Sequence, residues 1–180
     1  MIHGAFWKRT LWWLASTVLM ALIQTSWPES LKLQETAPDL VLVLVVFYAM
    51  RDGEEKAMFT GLVGGLYQDI AVDTVLGHHV LAYVCVGFLA GTLSLRLVTE
   101  HPIVKAGLVF LAGLTQTALF CLIQYLQEPA RGLLVPWLAM GVPASSYSAL
   151  VSPLLFIVAG RRRDDHGIMI RPRSPQDAGR

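Results

Sequence analysis

Charge is what this sequence has least of. Acidic and basic side chains make up 15% of 180 residues, against about 25% in an ordinary soluble domain, and they sit in a few clusters. So sparse a supply cannot cover a water-facing globule, which excludes a typical soluble protein. Cysteine is rarer still. Cys85 and Cys121 both fall inside apolar stretches, so they offer neither a disulfide framework nor a four-ligand zinc site, and packing is their expected role. No H-E-x-x-H, G-x-S-x-G or phosphate-cradling glycine loop is present, so hydrolysis and nucleotide use have no recognisable residue set. No cofactor and no metal are expected. The formal net charge of +1 hides an uneven distribution. The basic cluster Arg161-Arg162-Arg163 reads as a topology signal with ~1 kcal/mol of attraction to anionic lipid per residue, and nucleic-acid binding is not expected of it.

What the chain has in abundance is apolar surface. Hydrophobic residues make up 54% of it and the mean hydropathy is +0.54. Apolar stretches run from Leu11 to Trp27, Pro38 to Met50, Ala57 to Val72, His79 to Leu97, Ile103 to Leu126 and Trp137 to Ala159. The expectation is an all-α polytopic membrane protein of about six transmembrane helices, the second and third short for the ~20 residues of a crossing. The first stretch lacks a small-x-small cleavage site and is read as a helix rather than a signal peptide. With the N-terminus inside, all but Lys32 and Arg131 of the 14 basic residues fall on the cytoplasmic side, as retention of Lys and Arg demands. Both termini are then cytoplasmic. Short connections leave a single membrane domain over residues 1–160, followed by a polar tail, 161–180, expected to be disordered.

Inside the spans, the residues that stand out are small or polar. Gly61, Gly65 and Asp69 recur every four residues and share one helix face: two flat patches for a close helix, then a carboxylate near the membrane boundary. Gly87 and Gly91 repeat the spacing in the next span, as generic packing. An acid in an apolar segment costs ~2.5–3.5 kcal/mol to insert, so Asp39 and Asp69 invite a functional reading. For Asp39, directly after Pro38 at the start of a span, helix capping is a sufficient account; Asp69, toward the end of its own helix, has no such account. His78 and His79 are adjacent, point in different directions and make a poor ligand pair. Gln24, Gln116 and Gln124 read as interhelical glue, with a polar ligand cavity as the sharper alternative. Pro136, Pro143 and Pro153, interspersed with Ser145, Ser146, Ser148 and Ser152, predict a kinked or interrupted last helix whose open carbonyls the serines bond.

One enzyme pattern must be weighed. Asp52-Gly53 with the later Asp69 and Asp73 resembles the metal-binding signature of the CDP-alcohol phosphatidyltransferases. It fails where that family carries Ala-Arg and this chain has Lys56-Ala57, and Gly65 comes one residue early. A continuous helix would also hold Asp52 and Asp69 ~25 Å apart, too far to share one metal.

A different resemblance covers roughly residues 36 to 99. Pro38-Asp39 opening a span, the turn Arg51-Asp52-Gly53, then Gly61-x-x-x-Gly65-Leu66-x-x-Asp69 and Leu76-Gly77-x-x-x-Leu81 resemble the MreD family of small rod shape-determining membrane proteins. The chain departs from it at Leu62, where an aromatic is usual, and at Asp73, where a small residue is common. The resemblance implies a non-enzymatic component of the cell-elongation machinery in a bacterial inner membrane. It implies pairing with MreC and, through it, links to the actin homologue MreB and to the glycosyltransferase and transpeptidase of lateral peptidoglycan synthesis. It further implies a fold similar to the substrate-binding subunits of energy-coupling-factor transporters. Gly61, Gly65, Asp69 and Gly77 would form the helix-packing or partner-binding set, with Pro38 and Asp39 structural. The expectation is therefore a scaffold, which short loops and a glycine-lined face fit best, with a vitamin- or metal-capturing transporter subunit and a metal-dependent lipid-modifying enzyme as the alternatives.

Overall fold

The structure, a computed structural model, describes residues 2–28, 30, 36–72, 76–94, 101–127, 129 and 134–161. Over these residues the chain is all-α, with six helices. They are α1 (Ile2–Thr25), α2 (Leu40–Asp52), α3 (Glu54–Ala71), α4 (His78–Ser94), α5 (Pro102–Gln127) and a composite α6. The last begins with a turn, Leu134–Pro136, widens into a π-helical segment, Trp137–Gly141, and continues as Val142–Arg161. The polar segment expected as a tail lies outside the described residues from position 162 onward, as do Asp73, Lys32, Arg96 and Arg131.

Helix α2 is the axis of the bundle. It is apolar on every side, and Leu40 through Val46 are all buried, as a helix must be when no face is left for solvent. The other five helices all touch it, and around it α1, α3, α4, α5 and α6 pack in that order, each against the next from α1 to α6. At 13 residues α2 rises only ~20 Å, short of the ~30 Å hydrocarbon thickness; its first turns are enclosed by the other helices, while Arg51 and Asp52 at its far end are exposed. Pro102–Gln127 and Trp137–Ile157 are each long and apolar enough to cross a membrane, while Thr10–Thr25 and His78–Ser94 are shorter apolar helices.

The connections follow from local chemistry. A single residue, Gly53, separates α2 from α3, and its φ of 92° lies in the region that only glycine enters freely. The chain therefore turns back at once, so Asp52 and Asp69 do not lie on one continuous helix. Asp52 pairs with Lys56 at 3.2 Å at the start of α3, whereas Asp69 lies in its last turn. Glu54 and Glu55 open α3, where acids complement the helix dipole.

The prolines of α6 act as their spacing predicts. The interruption lies between Pro136 and Pro143, and π-helical widening is one way a helix absorbs a missing backbone donor. Pro153 is carried inside the regular stretch. Ser152 Oγ donates to Ala149 O at 2.8 Å, the carbonyl that an amide at position 153 would have used.

Candidate functional site

Among the described residues the most extensive contact between two helices is that of α3 with α4, and glycine makes it possible from both sides. A Cβ at Gly61 would stand 2.7 Å from Tyr83 O, and one at Gly65 would stand 2.6 Å from Val80 Cα. Reciprocally, a Cβ at Gly87 would meet Ala57 O at 2.9 Å and one at Gly91 would meet Glu54 Cα at 2.5 Å. The two glycine pairs thus face each other's backbones along one antiparallel hairpin. The adjacent Gly64 looks elsewhere, toward Val41 of α2, so α3 is wedged between α2 and α4 by glycines on two faces. The four-residue spacing singled out Gly61 and Gly65 and passed over Gly64; the Gly64-Gly65 pair itself was the available signal.

At the end of the bundle where this hairpin turns, polar side chains from all six helices converge. Asp69 is 1% exposed and crosses from the last turn of α3 to the first of α4. Its Oδ2 accepts the Gly77 amide at 2.8 Å and the Val80 amide at 3.4 Å, while Oδ1 accepts the His79 amide at 2.9 Å and lies 2.8 Å from His79 Nδ1. The acid that had no account at the end of its own helix is the cap of the next one. Gly77, with φ 105°, supplies the left-handed turn that aims its amide back at the carboxylate. The opposite His neighbours have different partners: His78 Nε2 lies 3.2 Å from Gln127 Oε1 of α5, and the His79 ring packs on Phe120 at 4.6 Å.

Asp39 does the equivalent for α2. Its Oδ1 accepts the Leu42 amide at 2.8 Å, its Oδ2 accepts the Tyr83 hydroxyl at 2.6 Å, and its own amide donates to Ser148 Oγ at 2.8 Å. Gln24 of α1 takes the next free amide, that of Val41, at 3.0 Å. The first turn of α2 is therefore tied to α1, α4 and α6, with Pro38 buried directly before it. His79 and Tyr83, whose rings are 6.2 Å apart, connect the Asp39 and Asp69 clusters along α4. Tyr83 and Ser148 are the residues the sequence did not reveal as partners of Asp39, since separations of 44 and 109 residues carry no periodic signal.

Chemically, this arrangement consumes its acids. Each carboxylate neutralises the amides of a helix start that would otherwise be left unpaired in an apolar surrounding. Among the described residues, no three His, Cys, Asp or Glu side chains converge as metal ligands. Gln116 bonds locally, its Oε1 accepting Thr117 Oγ1 at 3.2 Å, whereas Gln24 makes the interhelical bond expected of it.

The profile of the rod shape-determining protein MreD matches residues 6–158, which takes in all six helices. The chain belongs to the MreD family. Membership implies a role in rod-shape determination, agrees with the apolar helices of a membrane protein, and suggests partners in the elongation machinery. No curated protein and no solved structure matched the chain. The family match extends the resemblance read from residues 36–99 across the whole bundle, α1 and α6 included.

Proposed function

We propose that this member of the MreD family is a non-enzymatic scaffold of the lateral peptidoglycan synthesis complex, acting with MreC. In this reading it links indirectly to MreB and to the elongation glycosyltransferase and transpeptidase. The observation that carries the reading is the family match over the whole bundle. The way both intramembrane acids are spent on fastening helix ends supports it. A scaffold requires helices fixed relative to one another, and a cluster tying six helices at one end supplies that.

The protein is then a six-crossing helical domain over residues 1–160 in the bacterial inner membrane, with both termini and a tail, 161–180, in the cytoplasm. The basic residues Arg51, Lys56, Lys105 and Arg161 support that orientation. It puts the Asp39–Asp69 cluster at the outer boundary, on the side where MreC has its soluble domain. Gly61, Gly65, Asp69 and Gly77 act by setting the α3–α4 hairpin that a partner meets, with Pro38 and Asp39 anchoring α2 beneath it. The fold is taken as similar to the membrane subunits that capture substrate in energy-coupling-factor transporters, with the function redirected from capture to assembly.

Crosslinking in the native membrane, followed by purification in mild detergent and mass spectrometry of the bound proteins, tests the reading. MreC with the elongation synthases is the expected recovery. Transporter ATPases with a bound small molecule would overturn it.

A further inference from the structure

Away from the polar cluster, α4 and α5 part to leave a groove lined by Val86, Ala90, Leu93, Leu108, Leu111 and Ala112, with Leu89 and Thr115 at its margins. Its floor is buried, and two alanines, Ala90 and Ala112, make the space. Its rim is open sideways: Leu89, Leu93 and Leu111 are 51%, 39% and 55% exposed. Its lining is mainly apolar, and the hydroxyl of Thr115, the one polar side chain among the lining residues, donates to Leu111 O at 2.8 Å. We propose that this groove holds one acyl chain of an anionic phospholipid whose phosphate rests at Lys105.

Two observations select that occupant. The first is charge. Lys105 precedes Leu108 by one turn and shares its face with Leu108 and Ala112, so a cation stands where the groove meets the end of the helix. Among the described residues Lys105 has no hydrogen-bonding side-chain partner and no ion pair. Of the acids at this end of the neighbouring hairpin, Asp52 pairs with Lys56 at 3.2 Å and Glu54 accepts Thr92 Oγ1 at 3.1 Å, while Glu55 lies exposed at the start of α3. The second is length. From Lys105 to Thr115 the helix rises ~15 Å, half of the ~30 Å hydrocarbon core. A partner helix crossing the membrane would need a groove through both leaflets, whereas one lipid tail fills one leaflet.

The inference stands apart from the scaffold reading, since a lipid in this groove is compatible with any partner. It is tested on the full chain, purified and delipidated, by native mass spectrometry with added palmitoyl-oleoyl phosphatidylglycerol or phosphatidylcholine. The unmodified protein should retain the anionic lipid about fivefold better, the contribution of one basic residue near an anionic headgroup. Lys105→Gln should bring the two lipids level, and Ala112→Leu should reduce retention of both. If Ala112→Leu does not fold, Ala90→Leu fills the same groove from α4. The proposal is overturned by equal retention of the two lipids in the unmodified protein, by a preference that survives Lys105→Gln, or by a filled groove that retains lipid unchanged. A dimer that the groove-filling variant dissolves would assign the groove to a second copy instead.

Discussion

Asp69 Oδ1 receives both the backbone amide and the Nδ1 side of His79, at 2.9 and 2.8 Å, so the last turn of α3 is fastened to the first turn of α4 by one buried carboxylate. The hairpin that carries most of the family's recognisable residues is thus closed at both levels: glycines bring the helices together along their length, and Asp69 locks the end where they turn.

Removing that lock should show in stability before anything else. Asp69→Ala leaves the amides of Gly77, His79 and Val80, at and just before the start of α4, without their acceptor, and the loss of a cap with charge-assisted hydrogen bonds is worth about 2 kcal/mol. Asp69→Asn keeps one acceptor oxygen and should lose less. Thermal unfolding in detergent would rank them unmodified, Asn, Ala, and rod-shape complementation should follow the same order. Equal midpoints for the alanine variant and the unmodified protein would show that the cap is dispensable.

Gly61→Leu and Gly65→Leu should leave the chain inserted but unable to support rod shape, through steric exclusion inside the hairpin. Even alanine at Gly65 must push the Val80 backbone aside, an overpacking of about 1–3 kcal/mol. Gly107 supplies the control, because a Cβ there would meet nothing within 4 Å. Gly107→Ala should be neutral or stabilising while Gly65→Ala is not. Normal rods at normal protein levels for Gly65→Leu would contradict the packing argument.

At Gly77 the obstacle is of another kind. A Cβ would meet nothing within 4 Å, but φ is 105°, which disfavours L side chains by about 1–2 kcal/mol. Gly77→Ala should therefore destabilise without any clash, and Gly77→Asn, which tolerates left-handed backbone better, should recover part of the loss. The comparison is again of thermal midpoints, with the two variants at equal expression.

Tyr83 and Asp39 should be energetically coupled. Tyr83→Phe strips the 2.6 Å hydrogen bond from Asp39 Oδ2, a loss of about 1.5–3 kcal/mol for a bond to a charged group. In a double-mutant cycle with Asp39→Asn, which retains an oxygen to cap α2, the double variant should be less destabilised than the sum of the single ones. Strict additivity would mean that the hydroxyl and the carboxylate act independently.

Much of the helical content was legible because membrane spans announce themselves by composition and length, and because prolines, paired glycines and capping acids act locally. Asp39 as the cap of α2 and the interruption of α6 near Pro136 and Pro143 are local readings, each depending on a few residues of neighbouring backbone. Asp69 shows where that stops. Judged against its own helix it sits at the wrong end, and only the reversal of the chain at Gly77 turns it into the start of α4. Likewise, spacing placed Gly61 and Gly65 on one face without saying which helix they admit.

The sequence by itself determined that this is a helical membrane protein of the MreD type, roughly where its apolar segments lie, although α1 starts at Ile2 rather than Leu11, and which residues are small enough for close approach. Those properties depend on transfer of apolar segments out of water and on backbone hydrogen bonding within a turn or two. Only the tertiary structure decided that α2 is the axis, that Gly64 serves a different neighbour from Gly65, and that Asp39 meets Tyr83 and Ser148. Such contacts join residues tens of positions apart, and what selects them is the mutual fit of whole helices, each of which must satisfy its polar groups on the others because the surrounding hydrocarbon offers no partners.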